Sequence, residues 1–307
     1  MGQKSNSNSL RIGINNNSWS SKYLGKNSEE STLFVFQDLE IRNYINRFFY
    51  LHGLLVDKCF IQRSDSSLKI FVSYFNLLEV ISVIDKITIQ LNDYLKSEKI
   101  NNYLYEDISI LQNRKNLKKS YHRSLFNKKK LFLSKTFSQK LVGCLNLYLK
   151  KNFKIQLILQ NINKSLSVRL NNQEVVEFRK IITQLRSYSK SYFFKETINV
   201  IIVLIKNQSS SKLFSDYIAL KLGSMKRHNF FLTFLKRSLT LFISSNFSSI
   251  KGIKLKIKGR FNGVPRAKPR LIQIGETPLQ MYNSKVSYHC STSFTSNGTF
   301  GVQLWVS

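Results

Sequence analysis

The sequence predicts an α+β chain, and three observations carry that expectation. An apolar stripe at helical spacing is followed at once by two strand-like runs; two more helical stripes lie between residues 211 and 245; residues 250–307 alternate apolar and polar as a sheet does. Residues 1–32, rich in Ser, Asn and Gly and carrying Lys4, Arg11, Lys22 and Lys26, read as an extended arm that cannot pack a core alone. From Gln37 to Leu55, apolar residues such as Ile41, Ile45, Phe48 and Phe49 recur at helical spacing, with Asp38 as candidate N-cap and Gly53 near the end. Val56–Gln62 and Leu68–Phe75 then read as two strands of a hairpin, joined by a turn-prone stretch at 63–67.

Residues 76–98 look helical, and 99–165 become basic and rich in Asn, Lys and Ser, so an insertion at about 80–165 is expected to interrupt the first domain. Its aromatics Tyr121, Phe126, Phe132, Phe137 and Tyr148 fit two readings, stacking on bases or covering local apolar patches. Residues 173–188 return to a helical pattern, and the apolar, β-branched run Ile198–Ile205 is expected as a strand. Two helices follow between Ser211 and Ser245, with Asn229 a candidate cap for the second. Strands at 253–260, 281–291 and 299–306 and a Gly/Pro-containing basic loop at 259–270 complete the chain. The expected division is an arm (1–32), a first domain (33–206) and a second (207–307) with a mostly antiparallel sheet packed on two helices.

Charge bounds the function. Against 48 Lys and Arg stand 17 Asp and Glu, a formal net charge of +31. No carboxylate occurs from Ile108 to Gln173 or from Tyr217 to Gly275, whereas those stretches hold 15 and 13 Lys/Arg. Neutralisation must come from outside, and nucleic acid supplies it by exchanging condensed counterions for protein cations. An anionic membrane is the rival, but no apolar run approaches the roughly 20 residues of a span.

The polar start lacks a signal-peptide apolar region and an Arg-rich presequence, and its loose match to an acylation pattern is of a kind that arises by chance. Cys59, Cys144 and Cys290 lie far apart, and His52, His122, His228 and His289 show no metal-ligand spacing, so neither zinc, disulfides nor any cofactor is expected. His289 and Cys290 are neighbours on an expected strand and so point to opposite faces, which disfavours a nucleophile and base pair. Phosphate-loop and dinucleotide fingerprints are missing, and no catalysis is expected.

Three stretches, MGQKSNSNSLRIGINNNSW at 1–19, QDLEIRNYI at 37–45 and KGIKLKIKGRFNG at 251–263 with the segments after it, together resemble one family, the small-subunit ribosomal protein three (S3) in its mitochondrion-encoded form. MGQKSNSNSLRIGINNNSW at 1–19 is similar to the family start M-G-Q-K-x-N-P-x-x-x-R-L-G-I with its later Trp, Ser7 standing at the family proline. QDLEIRNYI at 37–45 resembles the first helix. KGIKLKIKGRFNG at 251–263, GETPL at 275–279, KVSY at 285–288 and GTFGVQLWV at 298–306 resemble the C-terminal domain.

The resemblance implies a type II KH domain in the first half, normally with a G-x-x-G loop against the nucleic-acid backbone. No glycine occurs between Gly53 and Gly143 or between Gly143 and Gly223, so that loop is absent. It also implies a helix beside the messenger-RNA entry channel with the pattern F-R-R-A-M-K-R. Here Phe231, Lys236 and Arg237 match, while Leu232 and Thr233 replace two arginines.

The expected RNA-binding residues are Lys4, Arg11, Lys226, Arg227, Lys236, Arg237, Lys258, Arg260, Arg266, Lys268 and Arg270. The expected partners are small-subunit ribosomal RNA, messenger RNA at the entry channel and neighbouring ribosomal proteins, with no membrane. The setting implied is the head of a mitochondrial small subunit, with a plastid second. A maturase-like or other RNA-processing factor is the competing reading, and needs an acidic metal-binding cluster that the sequence lacks; a free RNA-binding regulator is a third.

Overall fold

A computed structural model of the chain describes residues 6–13, 19–25, 27–64, 66–77, 137–149, 154–164, 171–207, 210–245 and 248–307. Lys4, Lys26, the helix expected at 76–98 and most of the basic region after it lie outside the described residues. The rest is α+β as expected, with two four-stranded sheets.

The first sheet has the order β1-β2-β3-β4, formed by Ser21–Lys22, Leu54–Arg63, Ser67–Asn76 and Lys154–Asn161. β2 and β3 form the expected hairpin, and β4 runs parallel to β3. Helix α1 (Ser28–Leu51) and a helix α2 at 137–148 cover one face. Ile41, Ile45 and Phe49 recur every four residues along α1, as Leu141 and Leu145 of α2 and Leu149 just after it do, and these stripes close over Ile61, Leu68, Ile70 and Val72. Each such side chain contributes roughly 1.5–3 kcal/mol by leaving water.

Three expectations change here. α1 begins at Ser28 rather than at Asp38, and Glu29 and Glu30 in its first turn face the positive end of the helix dipole and stabilise it. Asp38 caps nothing: it is buried in mid-helix, where its Oδ1 accepts from Arg63 Nε and Nη2 at 2.8 and 2.6 Å. Residues 137–161, expected inside an insertion, supply α2 and β4 to the first core instead. Phe137 settles on the packing reading, its ring 4.9 Å from Phe48 and 5.3 Å from Phe49.

The second unit is built from α3 (Asn172–Gln184), α4 (Phe194–Lys206), α5 (Ser211–Ser224) and α6 (His228–Ile243). Its sheet has the order β6-β5-β8-β7, made by Lys268–Gly275, Gly252–Gly259, Gly298–Val306 and Ser287–Thr295, all antiparallel. Ile253, Leu255 and Ile257 of β5 and Val302, Leu304 and Val306 of β8 face the helices in one core.

The run Ile198–Ile205 is the middle of α4, not a strand. It is apolar all round because Ile198, Val200 and every residue from Ile201 to Ile205 are buried, so its sequence carries no period by which a helix and a buried strand differ. The core also takes in Ile181 and Leu185, which places α3 and α4 with the C-terminal sheet, and it reaches Leu55 and Phe75 of the first sheet.

One buried ion pair crosses this core. Lys221 Nζ of α5 lies 2.7 Å from Glu196 Oε2 of α4, with side chains 1% and 2% exposed. Removing one partner leaves the other charge uncompensated. Lys221→Met is therefore expected to lower unfolding free energy by about 3–5 kcal/mol, and Lys221→Met with Glu196→Leu to restore most of it, as urea denaturation would record.

Candidate nucleic-acid interface

The connection from β5 to β6 is fixed from within. Gly259 ends β5 where a Cβ would lie 2.1 Å from Phe300 Cδ1, so only glycine lets the strand pass the ring. Phe261 is buried, its ring 5.0 Å from Phe300, whose own ring packs tilted 4.9 Å from His228. Asn262 adopts the left-handed conformation (φ 55°). Its side-chain Oδ1 accepts from the His228 backbone N–H at 3.1 Å, while its own N–H donates to His228 Nδ1 at 3.3 Å.

These anchors bring the loop beside the turn that opens α6. Arg270 lies over the Phe261 ring at 4.5 Å and donates from Nη1 to Asn229 Oδ1 at 2.6 Å. Asn229 is therefore not a helix cap; Arg227 holds the N-cap position without a side-chain bond. Arg260 Nε donates to the Val264 carbonyl at 3.0 Å, holding the loop curved. Lys226, Arg227, Lys258, Arg260, Arg266, Lys268 and Arg270 are all exposed at this end of the unit.

Lys236 and Arg237 are exposed two turns further along α6, about 12 Å from its start. Leu232 is buried in the core, and Thr233 Oγ1 donates back to the Asn229 carbonyl at 2.9 Å. Neither side chain reaches toward an anion. No carboxylate lies between Asp216 and Glu276, so the segments that form the rim hold no anion of their own.

Arg11 is used differently from the expectation. It is 2% exposed, and its guanidinium donates to the carbonyls of Ser7, Leu279, Met281 and Ser284 at 2.9–3.0 Å. Nearby, Asn8 Nδ2 donates to the Tyr288 carbonyl at 2.6 Å and Asn8 Oδ1 accepts from the Tyr288 N–H at 2.8 Å. Residues 6–13 are thus clasped to the edge of the C-terminal sheet, and the Arg11 guanidinium is buried away from any phosphate. Sequence spacing could not find this, because three of its four carbonyl partners lie some 270 residues away.

A second polar cluster lies between α5 and β2. A bulge between Val56 and Lys58 turns Asp57 into the interior, and burial pushes its carboxyl up to about 6 against the pull of Lys58, Lys212 and a hydrogen bond to Ser73. Burial likewise raises Asp216 to about 6, lowers Lys212, and drives His289 down to about 4, aided by Lys212. His289 Nδ1 is 2.8 Å from Ser215 Oγ and 3.9 Å from Asp216 Oδ1. Both partners meet the same ring nitrogen, whereas a proton relay needs the serine and the carboxylate on opposite nitrogens. Ser215 is moreover fully buried. Cys290 is exposed on the opposite face of β7 from His289, as strand alternation requires.

The comparisons with known proteins bear on the same region. Residues 233–306 match the family described as Ribosomal protein S3, C-terminal domain. Small ribosomal subunit protein uS3c of Chara vulgaris is 31% identical over 106 residues, 34% of this chain and 46% of that protein. The protein of the same name from Populus trichocarpa is 26% identical over 183 residues, 55% of this chain and 81% of that one. Small ribosomal subunit protein uS3 of Mycoplasmoides gallisepticum is 39% identical over 72 residues, 24% and 26% of the two chains. The chain thus spans about half the length of the Chara relative and four fifths of the Populus one.

Two outcomes test this description. Gly259→Ala forces its Cβ into the Phe300 ring and should cost about 1–3 kcal/mol of stability, measured by thermal unfolding. Asp57 has a raised folded-state pKa, so its contribution is present below about 4 and is lost as pH rises toward 6. Asp57→Asn should accordingly gain on the natural protein by roughly 2–3 kcal/mol between pH 4 and 7, read from paired urea titrations across that range.

Proposed function

We propose that this chain, which belongs to the ribosomal protein S3 family by its C-terminal domain, is a structural component of the small ribosomal subunit that binds ribosomal RNA without catalysing a reaction. The observation that carries the reading is the rim formed by the 225–229 turn and the 259–270 loop. Cations from two separate segments are locked side by side there, in a stretch that holds no carboxylate. Arg260, Arg266, Lys268 and Arg270, with Lys226, Arg227 and Lys258, take phosphates; the buried Phe261 and the glycines keep the backbone close enough to do so.

Lys236 and Arg237, displaced along α6, border the path of messenger RNA in the subunit head. With Leu232 buried and Thr233 bonded to its own helix, that contact is thinner than in the family pattern. The first unit, with α1, a β2-β3 hairpin, α2 and a parallel β4, serves as a KH-like scaffold without the glycine loop. Such a fold supports positioning rather than backbone clamping of a single strand.

The ribosome in question is organellar. Resemblance of the first 19 residues to mitochondrion-encoded forms favours the mitochondrion, whereas the plant relatives are chloroplast forms. Fractionation of the tagged chain decides between the two.

Sedimentation tests the central claim: the tagged chain should travel with small subunits, and finding most of it elsewhere would overturn the reading. Replacing Arg260, Arg266 and Arg270 together by Ala should deplete assembled subunits. It should also lower the salt slope of ribosomal-RNA binding by roughly 2–3, at 0.7–0.9 per lost phosphate contact. Lys236→Ala with Arg237→Ala should leave assembly intact while weakening messenger-RNA retention, measured by filter binding to purified subunits.

A further inference from the structure

The rim accounts for the loop end of the C-terminal sheet but not for the sheet's outer face, which no described element covers. Along β5 the residues facing away from the helices are Lys254, Lys256 and Lys258, about 7 Å apart at strand spacing. Lys258 adjoins the basic loop, and the row leads from there to the far end of the strand. Lys254 pairs directly across to Trp305 of β8, and Trp305 across to Tyr288 of β7. The two rings lie 5.2 Å apart and tilted by 33°. Beside Lys258 the neighbour on β8 is Gly301, where a Cβ would meet nothing within 4 Å, so the floor is flat and open. None of the four strands contains a carboxylate.

We infer that this outer face binds a single-stranded stretch of RNA that continues from the basic loop, with Lys254, Lys256 and Lys258 on successive phosphates and the Trp305–Tyr288 pair stacking a base. The inference rests on the RNA-binding reading above and deepens it. Charge selects an anion, and the aromatic pair selects one with a π-face. A flat sheet cannot read the deep, narrow groove of an RNA duplex, but it accepts unpaired bases splayed against aromatic side chains. Order within the row also matters: the rings sit at the end away from the loop, so the strand meets lysines first and stacks after at least two phosphate contacts.

The full-length chain carrying Trp19→Phe keeps Trp305 as its only tryptophan, which makes the fluorescence of this ring the readout. Titrating a single-stranded oligouridylate should quench it. Lys254→Ala with Lys256→Ala should lower the slope of log K against log salt by roughly 1.4, at 0.7 per phosphate contact on a single strand. Trp305→Leu should weaken binding about tenfold, while Trp305→Phe, which keeps a π-face, should retain most of it, both measured by filter binding because neither variant keeps the reporter ring; circular dichroism checks that each variant folds.

Unquenched emission with an unchanged salt slope, while Arg260→Ala with Arg266→Ala still weakens binding, would overturn the sheet face and leave the ribosomal reading standing. Binding of no RNA by the parent chain would overturn both. Equal quenching by polyglutamate would overturn the RNA assignment in favour of an acidic protein partner.

Discussion

The molecule is organised by the burial of one helix. α5 contributes Leu213, Phe214, Tyr217, Ile218 and Leu222 to the apolar core, each with no exposed surface, and lies against β7 and β8 of one sheet and β2 of the other. A helix so enclosed cannot carry free charge cheaply. Its ionisable groups are accordingly all engaged: Lys221 with Glu196, and Lys212 and Asp216 in the cluster with Asp57 and His289. Exposed cations gather instead on the turn after α5, on the outward side of α6, on the outer face of β5 and on the β5–β6 loop. The apolar demand of one element thus leaves a basic rim at one end.

That division explains what the sequence made readable. The β2–β3 hairpin and the C-terminal strands were legible because one side is core and the other solvent, which writes a period of two into the residues. α5 and α6 were legible through their helical stripes. The run at 198–205 was misread because complete burial erases the period, and length and β-branching then favour a strand. Asp38 has the chemistry of a cap, but its true partner, Arg63, is distant in sequence and near only after the hairpin folds. β4 did carry a signal: Ile155, Leu157 and Leu159 alternate with Lys154, Gln156 and Gln160, a pattern lost among basic surroundings.

The site was legible as chemistry and only partly as geometry. The loop at 259–270 announces itself by glycine, proline and arginine. Its juxtaposition with Lys226 and Arg227 depends on Asn262, Asn229 and His228, residues whose types suggest caps and turns. The alternating lysines of β5 were in plain view, yet only the cross-strand register sets Lys254 beside Trp305. Arg11 shows the reverse, an apparently free cation spent on carbonyl groups.

The clasp made by Asn8 and Arg11 has a bearing on how the chain matures. Its partners at Leu279, Met281, Ser284 and Tyr288 are synthesised some 270 residues after Asn8 and Arg11, when the first sheet's strands and β5 and β6 have already been made. The clasp therefore closes late, and its closure couples residues 6–13 to the folding of β7 rather than to that of the first sheet.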